Sequence, residues 1–373
     1  MSPRVLFVSR ERHRLPLTGP QRRKWDALAE VCDYRVLAAA PDGWPTGDDR
    51  FHLVPPASPR ALDGALFYTL LPARIAGELR RFRPDVAFVQ GVHEMDAFLV
   101  ARRAARVPTR AILDVQGDWH EATRLYGSPL RRLLNPLNDA LAPPAVRGAD
   151  VVRTVSEQTT GLVRALGVEP GGVFPAYVDA EAFLERPPAP LPEAPSALFV
   201  GVLERYKSFD TLADAWRRAA PQVPAATLHV VGTGTLAATA EQLVAALPEQ
   251  TRWTPRLSPE EVAAALDDAW LLALPSRSEG LPRVAVEAVS RGRAVIGGRA
   301  GGIPDVVEHE RNGVLVDPDS ADELAAALAR ILSDRAFAER LGAEARRTGE
   351  EWSVTPEQYA AKVEALVRMA LAR

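Results

Sequence analysis

The chain has 373 residues, 47% of them hydrophobic and 25% charged, and a formal net charge of −3. This is a globular, soluble composition, long enough for two α/β domains of ordinary size, and no Lys/Arg-rich tract with interleaved aromatics marks a nucleic-acid binder. The single cysteine, Cys32, excludes an intrachain disulfide, and the apolar run within MSPRVLFVSRERHR is too short for a signal peptide.

Together with the lack of any stretch near the roughly 20 apolar residues of a membrane span, these features lead us to expect a cytoplasmic protein. Charge is divided unevenly: the first 184 residues hold 24 Lys/Arg against 21 Asp/Glu, and the remainder 21 against 27.

Strand-like and helix-like runs alternate from the start, as a parallel sheet requires. In the first half the strand candidates are 4–9, 34–39, 86–90, 111–115 and 151–154. The helix candidates are 21–31, 66–82, 95–106, 130–146 and 157–166. Residues 185–195, ERPPAPLPEAP, are Pro-rich and aperiodic and are expected to be a linker. The alternation resumes with strands at 197–200, 227–231, 251–253, 270–274, 294–297 and 314–316. Ser258 with Glu261, Ser320 with Glu323 and Thr355 with Gln358 are spaced as capping boxes. The last helix, 356–371, carries Tyr359, Val363, Leu366 and Val367 on one face. The implied domains are 1–184 and 196–350.

The most informative stretch is 276–292, SRSEGLPRVAVEAVSRG. It leaves a buried strand through Pro275 and opens a helix near Pro282, so it lies where parallel sheets bind ligands. The helix start leaves N–H groups that suit an anion, and Gly280 permits close backbone approach. Glu279 and Glu287 frame this loop. Carboxylates beside an anion site make sense as acceptors from hydroxyls on either side of a diphosphate, the layout of a nucleotide sugar. Capping of the helix by Glu279 is the competing role.

Other strand ends carry polar residues. Gly201 to Ser208 reads GVLERYKS, with Arg205 and Lys207 as cations. Gly232 and Gly234 form a Gly-rich turn that lacks the Lys-Ser/Thr of a P-loop and the third glycine of a dinucleotide fingerprint. Arg256 follows the strand at 251–253. In the first half DVQGDWH brings Gln116, Asp118 and His120 after a strand.

The Glu-x7-Glu spacing, with Gly-Leu-Pro after the first Glu and Pro-Ser upstream, resembles the carboxylate signature of family 4 retaining glycosyltransferases. The resemblance runs from about Arg4 to Trp352. It implies the GT-B fold, an α/β architecture of two doubly wound Rossmann-like domains facing across a cleft. The last helix would return to the first domain, the first domain would bind the acceptor and the second the donor. It implies transfer of a sugar from a UDP- or GDP-sugar to an acceptor hydroxyl, in glycan, glycolipid or envelope polysaccharide synthesis. Glu279 would meet the transferred sugar and Glu287 the donor ribose.

Lys207 would sit on the diphosphate, Gly232, Gly234, Leu281 and Pro282 would line the donor site, and Arg256 would lie near the base. No cofactor is implied beyond the nucleotide-sugar co-substrate. No metal is implied either: the six histidines lack ligand spacing, and Asp317-Pro318-Asp319 sits just before a helix start, where capping explains it better than a metal site.

The chain departs from the family pattern at four places. Val202 stands where an Arg is usual, which leaves Arg205 as the candidate replacement on the diphosphate. Ser208 replaces a usual Gly. Gln116 stands where many members have a sugar-contacting His; Gln can hydrogen-bond a hydroxyl and cannot titrate. The loop RERHRLPLTGP lacks the family's paired glycines, and Arg14 and Arg12 are candidates for an anionic acceptor. Asp118 and His120 are further acceptor-side candidates. The acceptor would be a sugar or lipid-linked molecule, with a possible peripheral membrane contact through Arg74–Arg83 or Arg131–Leu134.

Rival functions are a nucleotide-sugar-binding protein without turnover, a GT-B epimerase or phosphorylase, and, less well supported, a nicotinamide-dependent dehydrogenase.

Overall fold

The computed structural model describes residues 2–45, 47–59, 62–120, 129–178, 181–184, 187 and 189–373; at 20, 129–138 and 181–182 it describes the backbone. Contacts divide the chain into two compact units, Met1–Tyr177 with Thr355–Arg373, and Val178–Val354.

The first unit runs β1(Arg4–Arg12), α1(Gly19–Val31), β2(Asp33–Ala39), β3(Phe51–Val54), α2(Asp63–Phe82), β4(Val86–Gln90), α3(Val92–Ala105), β5(Arg110–Val115), α4(Pro129–Gly148), β6(Val151–Thr154), α5(Glu157–Arg164) and β7(Gly172–Val173). The second runs α6(Glu181–Leu184), β8(Ser196–Val200), α7(Phe209–Ala219), β9(Thr227–Val231), α8(Ala237–Ala246), β10(Thr251–Thr254), α9(Pro259–Asp267), β11(Leu271–Leu274), α10(Arg283–Ser290), β12(Ala294–Gly298), α11(Ile303–Val306), β13(Gly313–Val316), α12(Ala321–Ser333) and α13(Arg335–Trp352). The last helix, α14(Pro356–Leu371), belongs to the first unit.

Both sheets are parallel. Their orders are β3-β2-β1-β4-β5-β6-β7 and β10-β9-β8-β11-β12-β13. Strand alternation explains why each sheet is covered on both faces. In β1, Leu6 and Val8 enter one core with Phe67, Leu71 and Phe98 of α2 and α3, while Phe7 points the other way, onto Trp25, Tyr34 and Phe88. In β8, Phe199 packs with Phe209 and Trp216, and Leu198 with Leu266, Leu272 and Leu274. β3 and β7, four and two residues long, are additional to the strands expected from the sequence and lie at the two edges of the first sheet.

Helix starts follow local chemistry. Ser258 and Thr355 form complete capping boxes with Glu261 and Gln358. At Ser320 half the box forms: its side chain accepts from the Glu323 N–H, but the Glu323 carboxylate turns to the Asp317 N–H at 2.9 Å.

The Pro-rich stretch is not a free linker. The boundary falls after Tyr177, and Phe183 and Leu191 are buried in the cores of the second unit. Prolines remove N–H donors from this segment, and its carbonyls are taken by distant side chains. Arg291 donates to Pro187 O at 3.4 Å, Arg293 to Ala189 O at 2.9 Å, and Arg335 to Leu191 O at 2.8 Å. Trp270 Nε1 donates to Pro192 O at 2.9 Å.

Strand order reverses between β1 and β4 in one sheet and between β8 and β11 in the other. Open parallel sheets bind ligands at this switch point, beyond the carboxyl ends of the strands. In the second unit the loops that leave the switch-point strands are Gly201–Ser208 and Pro275–Pro282.

Candidate active site

The β8 loop closes in a 3-10 turn, Arg205–Lys207, and reaches α7 through Ser208, which is fully buried with φ 52°. That left-handed conformation is one a glycine adopts without cost. The β11 loop brings Glu279 to the same place. Lys207 Nζ and Glu279 Oε1 form an ion pair in which both side chains are mostly buried, 15% and 11% exposed. The Ser276 hydroxyl donates to the same oxygen at 3.0 Å. Glu279 therefore does not cap α10; Pro282 occupies the N-cap position with no side-chain bond.

The start of α10 offers fewer free donors than its sequence suggests. The Arg283 N–H goes to Leu281 O at 2.9 Å, and the Ala285 and Val286 N–H groups go to Pro282 O at 2.9 and 3.2 Å. Leu281 packs on the core, and Gly280 beside it is partly exposed.

A third loop holds Glu279 from behind. Gly302 N–H donates to Glu279 O at 2.8 Å. Gly301, at φ 60°, lies so close that a Cβ there would stand 2.2 Å from Glu279 O. This is a structural role for the Ala300–Pro304 turn. Gly232 and Gly234 are explained in the same way: a Cβ at these positions would stand 1.8 Å from Gly201 O and 2.4 Å from Leu203 O. They let the β9 loop lie on the β8 loop.

Glu287, on α10, is partly exposed and has no hydrogen-bond partner among the described residues. Burial pushes its carboxyl up from 4.5 to about 7, against the opposing pull of Arg283. Its partial exposure leaves the carboxyl open to a donor from outside the protein, and a hydroxyl donated there would favour the charged form.

Two cations behave differently from expectation. The Arg205 side chain is 80% exposed and lies 3.8 Å from Asp210, so it does not join Lys207. Arg277 carried no signal in the sequence, yet it binds both loops. Its N–H donates to Tyr206 O at 2.8 Å and its guanidinium to Arg205 O. It also reaches Asp210 at 3.2 Å, Thr211 at 3.1 Å and Asp319 at 2.5 Å. Asp319 is therefore an ion-pair partner of Arg277, and Asp317 accepts from the Asp319 N–H at 2.9 Å; the cap itself is Ser320. Arg256 is exposed, while nearby Trp253 donates to Gly232 O at 2.8 Å.

In the first unit, Gln116 sits in a polar chain. Gln90 donates to it at 3.0 Å, and it donates to Asp114 at 2.7 Å. Asp114 in turn receives the fully buried Arg153 at 2.5 Å. Asp118 holds His120 through both the backbone N–H, 2.7 Å, and Nδ1, 3.1 Å. Arg14 is exposed and stacks over Trp44 at 5.3 Å. Arg10 and Arg12 lie 3.3 and 3.7 Å from Asp63. Among the described residues no group of three or more His, Cys, Asp or Glu is arranged to hold a metal ion, and no helix is long and apolar enough to cross a membrane.

A model of glycosyl transferases group 1 matches residues 183–348, and one of a glycosyl transferase 4-like domain matches residues 12–176. Residues 183–348 thus form a group 1 glycosyltransferase domain and residues 12–176 a glycosyl transferase 4-like domain. It is 25% identical over 317 residues to a sulfoquinovosyl transferase of Arabidopsis thaliana, covering 79% of this chain and 60% of that protein. It is 32% identical over 224 residues to a GDP-mannose-dependent alpha-(1-6)-phosphatidylinositol monomannoside mannosyltransferase of Mycobacterium tuberculosis, covering 55% of this chain and 57% of the relative. The chain thus spans about three-fifths of the length of these curated relatives.

Among solved structures, sucrose-phosphate synthase from Thermosynechococcus elongatus superposes with a TM-score of 0.77 at 21% identity, covering 99% of both chains. The fold is GT-B, built from two Rossmann-like units. Against the group 1 pattern, Val202 is 43% exposed and supplies no charge to the β8 loop. Ser208, where the family usually has a glycine, takes a left-handed conformation that a glycine adopts readily.

Proposed function

We propose that this protein is a retaining glycosyltransferase that moves a sugar from a nucleoside diphosphate sugar to an acceptor hydroxyl. The observation that carries this reading is the meeting of Lys207 and Glu279 at the switch point of the second unit, with the unpartnered Glu287 on the helix that follows.

In this reading the donor lies on the second unit. Lys207 leaves Glu279 for the diphosphate, Glu279 accepts from a hydroxyl of the transferred sugar, and Glu287 accepts from the ribose. The acceptor hydroxyl attacks the anomeric carbon on the face that the diphosphate leaves. The bond from that carbon to the phosphate oxygen breaks, and the phosphate takes the acceptor proton. Catalysis is chiefly electrostatic, through charge placed where the leaving diphosphate develops its own.

The test is product analysis with labelled UDP-, GDP- and ADP-sugars and a panel of acceptors. Transfer with the anomeric configuration kept, continuing in EDTA, is the expected result. An inverted product overturns retention, an epimer or sugar phosphate favours the rival enzymes, and binding without turnover overturns the transferase. Loss of activity in EDTA restored by manganese overturns metal independence.

A lipid-linked acceptor is favoured by the outward face of α2. Leu66 and Leu70, with Leu62 just ahead, are exposed, and Arg80 and Arg81 follow at the far end. The carboxylates of this helix are engaged: Glu78 with Arg35 and His52, and Asp63 with Arg10 and Arg12. Such a face suits an anionic bilayer surface. The side chains of Arg131–Leu134 lie outside the described residues. Co-sedimentation with phosphatidylglycerol vesicles, lost on joint Leu66→Ser and Leu70→Ser substitution, is expected; a protein that stays in the supernatant removes this support.

A further inference from the structure

We infer that Arg277 is a positioning residue: it fixes the turn that carries Lys207 against the loop that carries Glu279. The inference rests on the reading of Lys207 as the cation of the leaving diphosphate.

Arg277 lies two residues before Glu279, and its contacts surround Lys207 in the chain. Its N–H bonds Tyr206 O at 2.8 Å and its guanidinium bonds Arg205 O, the two carbonyls just before Lys207. The same guanidinium holds Asp210 at 3.2 Å and Thr211 at 3.1 Å, three and four residues after it. Asp319, at 2.5 Å from Nε, fixes the guanidinium from a third loop. Four of the five guanidinium N–H donors are thus committed to protein acceptors, and the group is mostly buried at 21% exposed. It is not itself placed to serve a ligand.

The rigid fork of an Arg suits this task, since it presents several donors in one plane, whereas Lys offers a flexible point charge. A Lys207 ammonium displaced by about 1 Å would lose much of its effect on a transition state, because catalytic electrostatics depend on preorganised geometry. Ser276 adds a second restraint through its hydroxyl on Glu279, 3.0 Å away.

A double-mutant cycle of Arg277→Ala and Lys207→Ala tests this, with turnover measured at saturating donor well below each variant's melting temperature. In the parent, Lys207→Ala is expected to cost about 100-fold. In the Arg277→Ala background the same change is expected to cost less than about fivefold, because the ammonium is already misplaced. A merely structural Arg277 lowers stability and leaves the Lys207 factor near its parent value, which overturns the inference.

Arg277→Lys keeps the charge without the fork and carries the same cycle should the alanine variant fold poorly. Its turnover is expected to stay near that of the alanine variant, and recovery to the parent rate overturns the role of the fork. If Lys207→Ala leaves the parent rate unchanged, the assignment of Lys207 fails, and the inference with it. If Lys207→Ala is costly in every background, only the inference about Arg277 fails.

Discussion

Replacing Lys207 with alanine is expected to slow turnover by about 10²–10³-fold, the usual loss when one preorganised stabiliser of a developing negative charge is removed. The expectation rests on how little else the β8 and β11 loops supply. Val202 brings no charge, and the Arg205 side chain is 80% exposed beside Asp210. The Arg277 guanidinium is committed to the Arg205 carbonyl, Asp210 and Asp319. The first turn of α10 spends several N–H groups on Leu281 O and Pro282 O, and a helix terminus carries only about half a unit of charge in any case.

Donor affinity should fall less than turnover, because the charge on the diphosphate grows as the glycosidic bond breaks. Arg205→Ala serves as the comparison, and its rate is expected to stay within about twofold, as for other solvent-screened charges. Steady-state kinetics of both variants with one saturating acceptor make the measurement. Equal losses in the two would return Arg205 to the diphosphate, and no loss in Lys207→Ala would leave the site without its cation.

Much of this arrangement was legible because its determinants are local. Ser258 with Glu261 and Thr355 with Gln358 close their capping boxes within four residues, so the spacing alone specifies the bond. Strands such as Val86–Gln90 and Leu271–Leu274 are buried, mostly apolar runs, and they appear where their composition puts them. Glu279 and Lys207 were each readable from the motif around them, although a separation of 72 positions hides their ion pair.

What was not legible depends on distant partners. The proline-rich stretch has the composition of a linker, but Arg291, Arg293 and Arg335 take its carbonyls from about a hundred residues or more away. Arg277 looks like a solvated loop charge until the chain brings Asp210 and Asp319 to it. Gln116 was visible as a departure from the family pattern. Its hold on Asp114, and through Asp114 on the buried Arg153, was not.

Glu287→Ala is expected to weaken a nucleoside diphosphate by about 10- to 150-fold, the value of a hydrogen bond of about 1.5–3 kcal/mol to a charged acceptor. The parent protein adds a pH signature. Burial holds the Glu287 carboxyl at about 7, above its ordinary 4.5, and a ribose hydroxyl donates to the ionised form. Donor affinity in the parent should therefore drop as pH falls through 7, by about tenfold between pH 8 and pH 5.5, since ligand and proton compete through one linked equilibrium. Glu287→Gln should bind weakly with little pH dependence.

The unliganded protein gives the same group a second readout of opposite sign. Between 4.5 and 7 the folded chain keeps a proton that the unfolded chain has lost. The stability contributed by neutral Glu287 is whole below 4.5 and gone above 7, so it declines as pH rises through that window. Glu287→Gln, which is never charged, should melt higher relative to the parent at pH 8 than at pH 4.5. Calorimetric titration of UDP and GDP at the two binding pH values, with melting curves of the apo proteins at pH 4.5 and 8, tests both halves. A stability effect without any change in nucleotide affinity would make Glu287 a buried acid of the helix alone and remove the ribose from it. An affinity loss that is the same at every pH would keep the contact and assign its proton dependence elsewhere.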